Sequence, residues 1–438
     1  MAAVMESLEQ QPKEFDSSPG IKSEELRFSS AKRSSRRNVL LLQGLMGPLF
    51  RRLGQGLKQA GHGVYKVNFN GGDRLFWRLP GGIDYRGTLS DWPRALAGIL
   101  AEKQITDVVL FGDCRNYHIA ALQACRELKI PVHVLEEGYI RPDWVTFELG
   151  GVNGHSSLPR DPQWFREMAA SLPSVPEHRQ VRSSFRRRAF EGIAYNVAEV
   201  LARWRYPNWH NHRPWPPLIE AIGWWQKLSR RKRFMAQSDE LLSMLERQNE
   251  VYFLFPLQLD SDAQIRLHSP YSGIAEALKE AIESFAAHAP EGSLLVVKEH
   301  PLDNGVRDWE LVTKDLAEIH SVSDRVHYLP RGDIVPAARG SRGMVTVNST
   351  SGTLGLSMGI PVVVLGTAVY DIAGVTCQDG LNAFWSNPVA PDAATFNAFQ
   401  RVLVERCLIP GGFFSEEALT LVVRHAIARF EGNPLPVE

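Results

Sequence analysis

Among its 438 residues the chain has only four cysteines, Cys114, Cys125, Cys377 and Cys407, with no CxxC pair. That excludes the dense disulfide framework of small secreted domains and points to a reducing compartment. Long hydrophobic runs are missing as well: every apolar tract is broken by Gly, Pro or charge well before the roughly 18 residues that a membrane span needs. The N-terminal stretch MAAVMESLEQQPKEFDSSPG carries acids and glutamines where a signal peptide has a cationic start and an apolar core, so secretion is not expected. Neither sign of charge is in excess, with 49 Lys+Arg against 49 Asp+Glu. No global field marks a nucleic-acid binder. No GxGxxG follows the first strand and no P-loop occurs, which argues against a dinucleotide oxidoreductase and a P-loop NTPase. No repeat of 20 to 50 residues is evident.

What is present is a soluble-enzyme composition, 44% hydrophobic and 22% charged, over a length that predicts two domains. Residues 1–37 have no hydrophobic periodicity and read as a mobile tail. From Asn38 short apolar runs alternate with helix-like segments: NVLLLQ, a helix near 48–60, GVYKVNF, a helix near 92–103, TDVVLF, a helix near 116–128 and PVHVLE. Such alternation predicts a parallel sheet covered on both faces. It restarts at VYFLFPLQ (251–258) and continues through SLLVVKEH, VHYLP, GMVTVNS and IPVVVLG. The expected fold is therefore α/β, with two Rossmann-like domains facing a cleft: 38–178 on the acceptor side and 246–438 on the nucleotide side. Ligands in such sheets bind beyond the carboxyl ends of the strands.

Between the two lies a segment, 179–245, of different texture. From Arg179 to Arg233 there are thirteen Lys/Arg against three Glu, together with Trp204, Trp209, Trp215, Trp224 and Trp225. Tryptophan and arginine together suit an anionic lipid headgroup layer, where each cation contributes about 1 kcal/mol. An interdomain helical insertion with core tryptophans and solvated arginines fits equally. No nucleic-acid motif accompanies the patch.

Five strand ends carry candidate chemistry. GDCRNYH (112–118) offers Arg115 and His118, with Asp113 as a helix cap. In LEEGYIRPDW, Glu136 and Glu137 point to opposite sides; Glu137 is the one chosen to enter the cleft, against the alternative of a loop glutamate paired with Arg141. FPLQLDSDAQI holds Gln258, Asp260 and Asp262. Its DxD matches the metal-holding pattern of many sugar transferases, whereas on an extended segment the two share a face and Asp262 can present a bare carboxylate to an oxocarbenium-like centre. KEHP brings Lys298 and His300. VNSTSGTLG ends a strand in Asn348, Ser349, Thr350 and Ser351 before a helix opens at Gly352, an arrangement suited to an anion; a plain helix cap is the simpler reading.

These motifs, in this order from about Asn38 to about Ala426, resemble the capsule polysaccharide biosynthesis/export proteins of the KpsS/LipB type. The resemblance implies a GT-B glycosyltransferase: a retaining β-Kdo transferase using CMP-β-Kdo. It would add the first Kdo of the capsule linker to a (lyso)phosphatidylglycerol-type lipid at the cytoplasmic face of the inner membrane, beside other capsule assembly proteins. The acidic position of the Q-x-x-x-D pattern falls on Asp262, the implied nucleophile, with Asp260 its substitute. Glu137 becomes the acid/base, and His300, Lys298 and Asn348 to Gly352 bind the cytidylate, with Gln258, Arg115 and Arg141 near the sugars. A single phosphate on the donor removes the need for a metal, so no cofactor is expected. The alternatives are a CDP-glycerol-type polyol-phosphate transferase and a non-catalytic export scaffold.

Overall fold

The computed structural model describes residues 36–433 and 435, apart from 177–180, 212–214, 216, 249–250 and 261. Almost all of the expected tail, and Arg179 and Arg213 of the basic segment, lie outside the described residues.

Seven strands build the first sheet: β1 (Asn38–Leu41), β2 (Gly63–Asn68), β3 (Gly82–Asp84), β4 (Asp107–Phe111), β5 (Val132–Glu137), β6 (Trp144–Leu149) and, from the far end of the chain, a strand at Leu408–Pro410. Five build the second: β7 (Tyr252–Pro256), β8 (Leu294–Lys298), β9 (Val326–Leu329), β10 (Gly343–Thr346) and β11 (Val362–Val364); the Leu408–Pro410 strand is then β12. Their orders are β12-β6-β5-β4-β1-β2-β3 and β11-β10-β7-β8-β9. The molecule is thus α/β with two Rossmann-like units, as the alternation predicted.

Side-chain alternation along the apolar strands covers both faces. Val39, Leu41, Val109 and Leu135 pack beneath the helices Leu49–Gln59 and Glu416–Glu431, while Leu40, Val108, Leu110 and Val134 pack beneath Trp92–Glu102 and Asn116–Glu127. Leu254, Val296 and Met344 of the second sheet belong to that latter core, so the two units share apolar packing. Several helices begin on the side chain that their sequence supplies: Asp308 accepts from Leu311 N–H, Asp392 from Thr395 N–H and Ser415 from Ala418 N–H.

Two features depart from the sequence reading. The first sheet is mixed: β6 runs antiparallel to β5, and β12 antiparallel to β6. Only six residues join β5 to β6, too few for a crossover, so the chain must turn back on itself. Gly138 opens that turn where a Cβ would sit 2.3 Å from the Trp144 carbonyl oxygen. The sequence reading also assigned 246–438 whole to the second unit. In the structure the helix Ala393–Arg406 packs on Pro162–Ala169, β12 joins the first sheet and Glu416–Glu431 packs on Leu49–Gln59, so the chain's end closes back over its beginning.

Candidate functional site

The strand ends of the two units meet in a hydrogen-bonded chain. Leaving β7, buried Gln258 donates through Nε2 to Asn348 Oδ1 at 2.8 Å, and its Oε1 accepts from Asn348 N–H at 3.1 Å. The same Nε2 lies 3.5 Å from Asp262 Oδ2, while Asp262 Oδ1 accepts from Gln264 N–H at 3.0 Å. Asn348 Nδ2 donates to the Gln264 carbonyl at 3.0 Å. Gln264 then spans to the first unit, where its Nε2 is 3.5 Å from Glu136 Oε2 and its Oε1 accepts from Asn153 Nδ2 at 3.1 Å. Asp262 therefore lies between the units, orientated by two amides, and burial raises its carboxyl above the ordinary range.

Asp260 and Asp262 do not share a face. The segment is a turn, with Asp262 N–H donating to the Leu259 carbonyl at 2.9 Å, so the period of an extended strand does not apply. Asp260 faces Arg307 at 3.6 Å. Among the described residues neither aspartate joins a group spaced for a cation.

Glu136 and Glu137 diverge at the end of β5. Glu137 forms an ion pair with Arg141 at 2.7 Å and lies 3.9 Å from Arg188, the loop pairing that the spacing allowed. Glu136 is the carboxyl with the perturbed environment: burial, then the charges of Asp113 and Asp262, push it up to about 8. Gly112, at φ +68° and only 3.3 Å from Glu136 Oε2 at its Cβ position, gives that carboxyl room.

His300 is held in one tautomer. Its Nδ1 accepts from Leu302 N–H at 3.1 Å, which leaves the proton of the neutral ring on Nε2 as a donor. Burial, assisted by Arg141 and Lys298, lowers its pKa to about 4. Lys298 is buried, donates to the Glu299 carbonyl at 3.3 Å and is lowered to about 8 by burial. At the other strand end, Ser349 Oγ donates to Ser351 Oγ and accepts from Ser351 N–H, both at 3.1 Å. These are the local bonds of a helix start. Thr350 occupies the N-cap position of Ser351–Ser357 without a side-chain cap bond. The turn nevertheless abuts the first unit, because Thr353 Oγ1 donates to the Tyr139 carbonyl at 2.6 Å, and Gly352 lies where a Cβ would be 2.4 Å from the Tyr370 hydroxyl. Arg115 donates to the Gly44 carbonyl at 2.9 Å and lowers Glu136 through space.

A group that the sequence reading left unassembled sits beside Glu136. Fully buried Asp113 accepts from Val152 N–H and His155 Nδ1, each at 3.0 Å, and from Cys114 Sγ at 3.2 Å. His268 reaches over from the second unit, its Nε2 3.5 Å from Cys114 Sγ and its ring edge-on to His155. Asp113, His155 and His268 each offer a ligand atom within 4.8 Å of the others, the one such group among the described residues. The reading of Asp113 as a helix cap gave no sign of this, since its partners lie 42 and 155 residues away in sequence.

The insertion also enters the site region. Lys227, on the helix Pro217–Ser229, buries its ammonium against Glu299 and donates to the Asp303 carbonyl at 3.0 Å. Tyr328 donates to the same Glu299. The tryptophans divide: Trp209 is buried in a stack on Tyr117, whereas Trp204 and Trp225 are exposed.

Residues 106–414 match the family model described as capsule polysaccharide biosynthesis protein. The capsule polysaccharide export protein KpsS of Escherichia coli is 32% identical over 381 residues, 87% of this chain and 97% of that protein. The capsule polysaccharide modification protein LipB of Neisseria meningitidis serogroup A is 33% identical over 389 residues, 87% of this chain and 93% of that protein. Among solved structures, Thermosulfurimonas dismutans KpsC, a β-Kdo 2,7 transferase, aligns over 88% of this chain and 98% of its own at 14% identity and a TM-score of 0.41, a likeness of outline only. The length and identity of the first two matches settle the family: this chain belongs to the capsule polysaccharide biosynthesis proteins.

Proposed function

We propose that the chain is a retaining β-Kdo transferase that takes Kdo from CMP-β-Kdo and adds it to a (lyso)phosphatidylglycerol-type lipid as the first residue of the capsule linker, at the inner face of the inner membrane. The observation that carries the reading is the pair of carboxyls between the units: Asp262, aimed by Gln258 and Gln264, and Glu136, held near 8 and so protonated at neutral pH. Two carboxyls in unlike environments suit a double displacement at an anomeric centre.

In the first step an Asp262 oxygen bonds to the anomeric carbon as the bond to the cytidylate phosphate breaks, its electron pair leaving with CMP. Glu136 gives its proton to the departing oxygen. In the second step the acceptor hydroxyl attacks the same carbon from the opposite face, Asp262 is released, and the Glu136 carboxylate takes the hydroxyl proton. Glu136 replaces Glu137 in this role because Glu137 is neutralised by Arg141. His300 Nε2–H and the unused Thr350 hydroxyl stand at the strand ends as donors to the phosphate, and Arg141 supplies charge near both His300 and Asp262. No step requires a metal, and other capsule assembly proteins are the expected neighbours.

Intact-protein mass spectrometry after mixing with CMP-Kdo tests the reading. A Kdo adduct that disappears in Asp262→Asn and is discharged by a phosphatidylglycerol acceptor is expected. Cleavage of CDP-glycerol instead would overturn it.

A further inference from the structure

The helix Phe185–Leu201 wears its apolar side chains on the outside. Its inner face is fixed by Tyr195, whose buried hydroxyl contacts Gln43, Asn70 and Asp73, and by close approach to a pair of glycines. A Cβ on Gly71 would be 2.0 Å from the Ala198 carbonyl oxygen, and one on Gly72 2.5 Å from the Tyr195 ring. At about 100° per residue, positions 190, 193, 197 and 200 fall opposite that face in a stripe about 80° wide. They are Phe190 (73% exposed), Ile193 (64%), Val197 (51%) and Val200 (59%), and Trp204 (80%) follows in the turn beyond the helix. A helix on a water-facing surface has the reverse pattern.

The charges beside this ridge that have no ion partner among the described residues are cationic. Arg186 and Arg203 are exposed and make no ion pair with another described residue. The acids nearby are spoken for: Glu191 is bound by Arg187 at 2.7 Å, and Glu199 has a partner. Three arginines nearby are held by the fold: Arg187 also meets Glu416, Arg188 lies over the Phe414 ring and Arg205 pairs with Asp84.

We infer that this ridge inserts into the headgroup layer of an anionic bilayer, with the helix lying in the interface plane and Trp204 at headgroup depth. An apolar stripe with exposed arginines at its two ends, neither ion-paired to another described residue, has the chemistry of an interfacial helix on anionic lipid. The inference deepens the lipid-acceptor reading by naming the surface that presents the acceptor. It is tested without any glycosyl donor, so its failure is separate from that of the transfer chemistry.

The test sediments the full chain with phosphatidylcholine vesicles that contain or lack phosphatidylglycerol. Phe190→Ser/Ile193→Ser/Val197→Ser is compared with the parent after circular dichroism has shown equal folding. The expected results are binding that requires phosphatidylglycerol, about tenfold or more weaker in the triple variant, and quenching of tryptophan emission by brominated lipid that diminishes in Trp204→Phe. Equal binding of parent and triple variant, or no binding by the parent, overturns the inference. So does a parent dimer that the triple variant converts to monomer without any effect of vesicles, which would make the ridge a contact between copies.

Discussion

Glu136→Gln replaces a proton-binding carboxyl by a neutral group of the same shape, and its effect on stability has a sign that can be worked out. The folded state holds the carboxyl at about 8 against an ordinary 4.5. Between those limits the folded chain keeps a proton that the unfolded chain gives up. Stability from this site is therefore complete below about 4.5 and is lost as pH rises through 8. At about 1.4 kcal/mol per pH unit the whole span is on the order of 5 kcal/mol, and about 3 kcal/mol of it is gone by pH 7. The glutamine carries no such dependence. Urea unfolding of both proteins at a series of pH values from 5 to 9 should show the variant gaining on the parent up to about pH 8, while titrating groups not coupled to Glu136 cancel in the difference. A difference that stays constant with pH would refute the assignment of a protonated Glu136. Activity supplies the second half: the variant should lose about 10² to 10⁴ in kcat, and parent turnover should fall above about pH 8.

The two aspartates of the DxD should separate cleanly, Asp262→Asn abolishing the Kdo adduct and Asp260→Asn retaining it, read by intact mass. His300 and His268, both lowered to about 4, are neutral when folded, whereas the unfolded chain protonates near 6.5; stability should fall as pH drops through that window, and His268→Gln should flatten the fall by up to about 1.4 kcal/mol per pH unit in urea titrations. Lys227→Met leaves Glu299 buried with one partner fewer and should cost about 3–5 kcal/mol in urea unfolding, with Lys227→Met/Glu299→Gln recovering much of it. His300→Ala should raise KM for CMP-Kdo more than it lowers kcat, in initial-rate measurements.

The parts of this protein that were legible in its sequence are those governed by local rules. Strands such as Val108 to Leu110 and Leu295 to Val297 announce themselves because a sheet buried on both faces leaves no polar position, and the helices near 48–60, 92–103 and 116–128 fill the intervals between such strands. Antiparallel β6 was missed because its Thr146 and Glu148 break the apolar run; both are buried, and Glu148 is satisfied by Tyr139 at 3.0 Å, a partner nine residues away that composition does not reveal. The same limit decides the site. That Asp262 follows Gln258 by four residues is a sequence fact, but that Gln258, which reaches Asp262, is itself fixed by Asn348 ninety residues on is a property of parallel strands β7 and β10 lying side by side. The choice between Glu136 and Glu137 turned on what each meets, not on their alternation: a glycine at 112 and aspartates at 113 and 262 for one, arginines at 141 and 188 for the other. Burial beside like charge favours the protonated acid, a half-exposed place beside arginine favours an ion pair, and only the fold decides which neighbour each carboxyl receives.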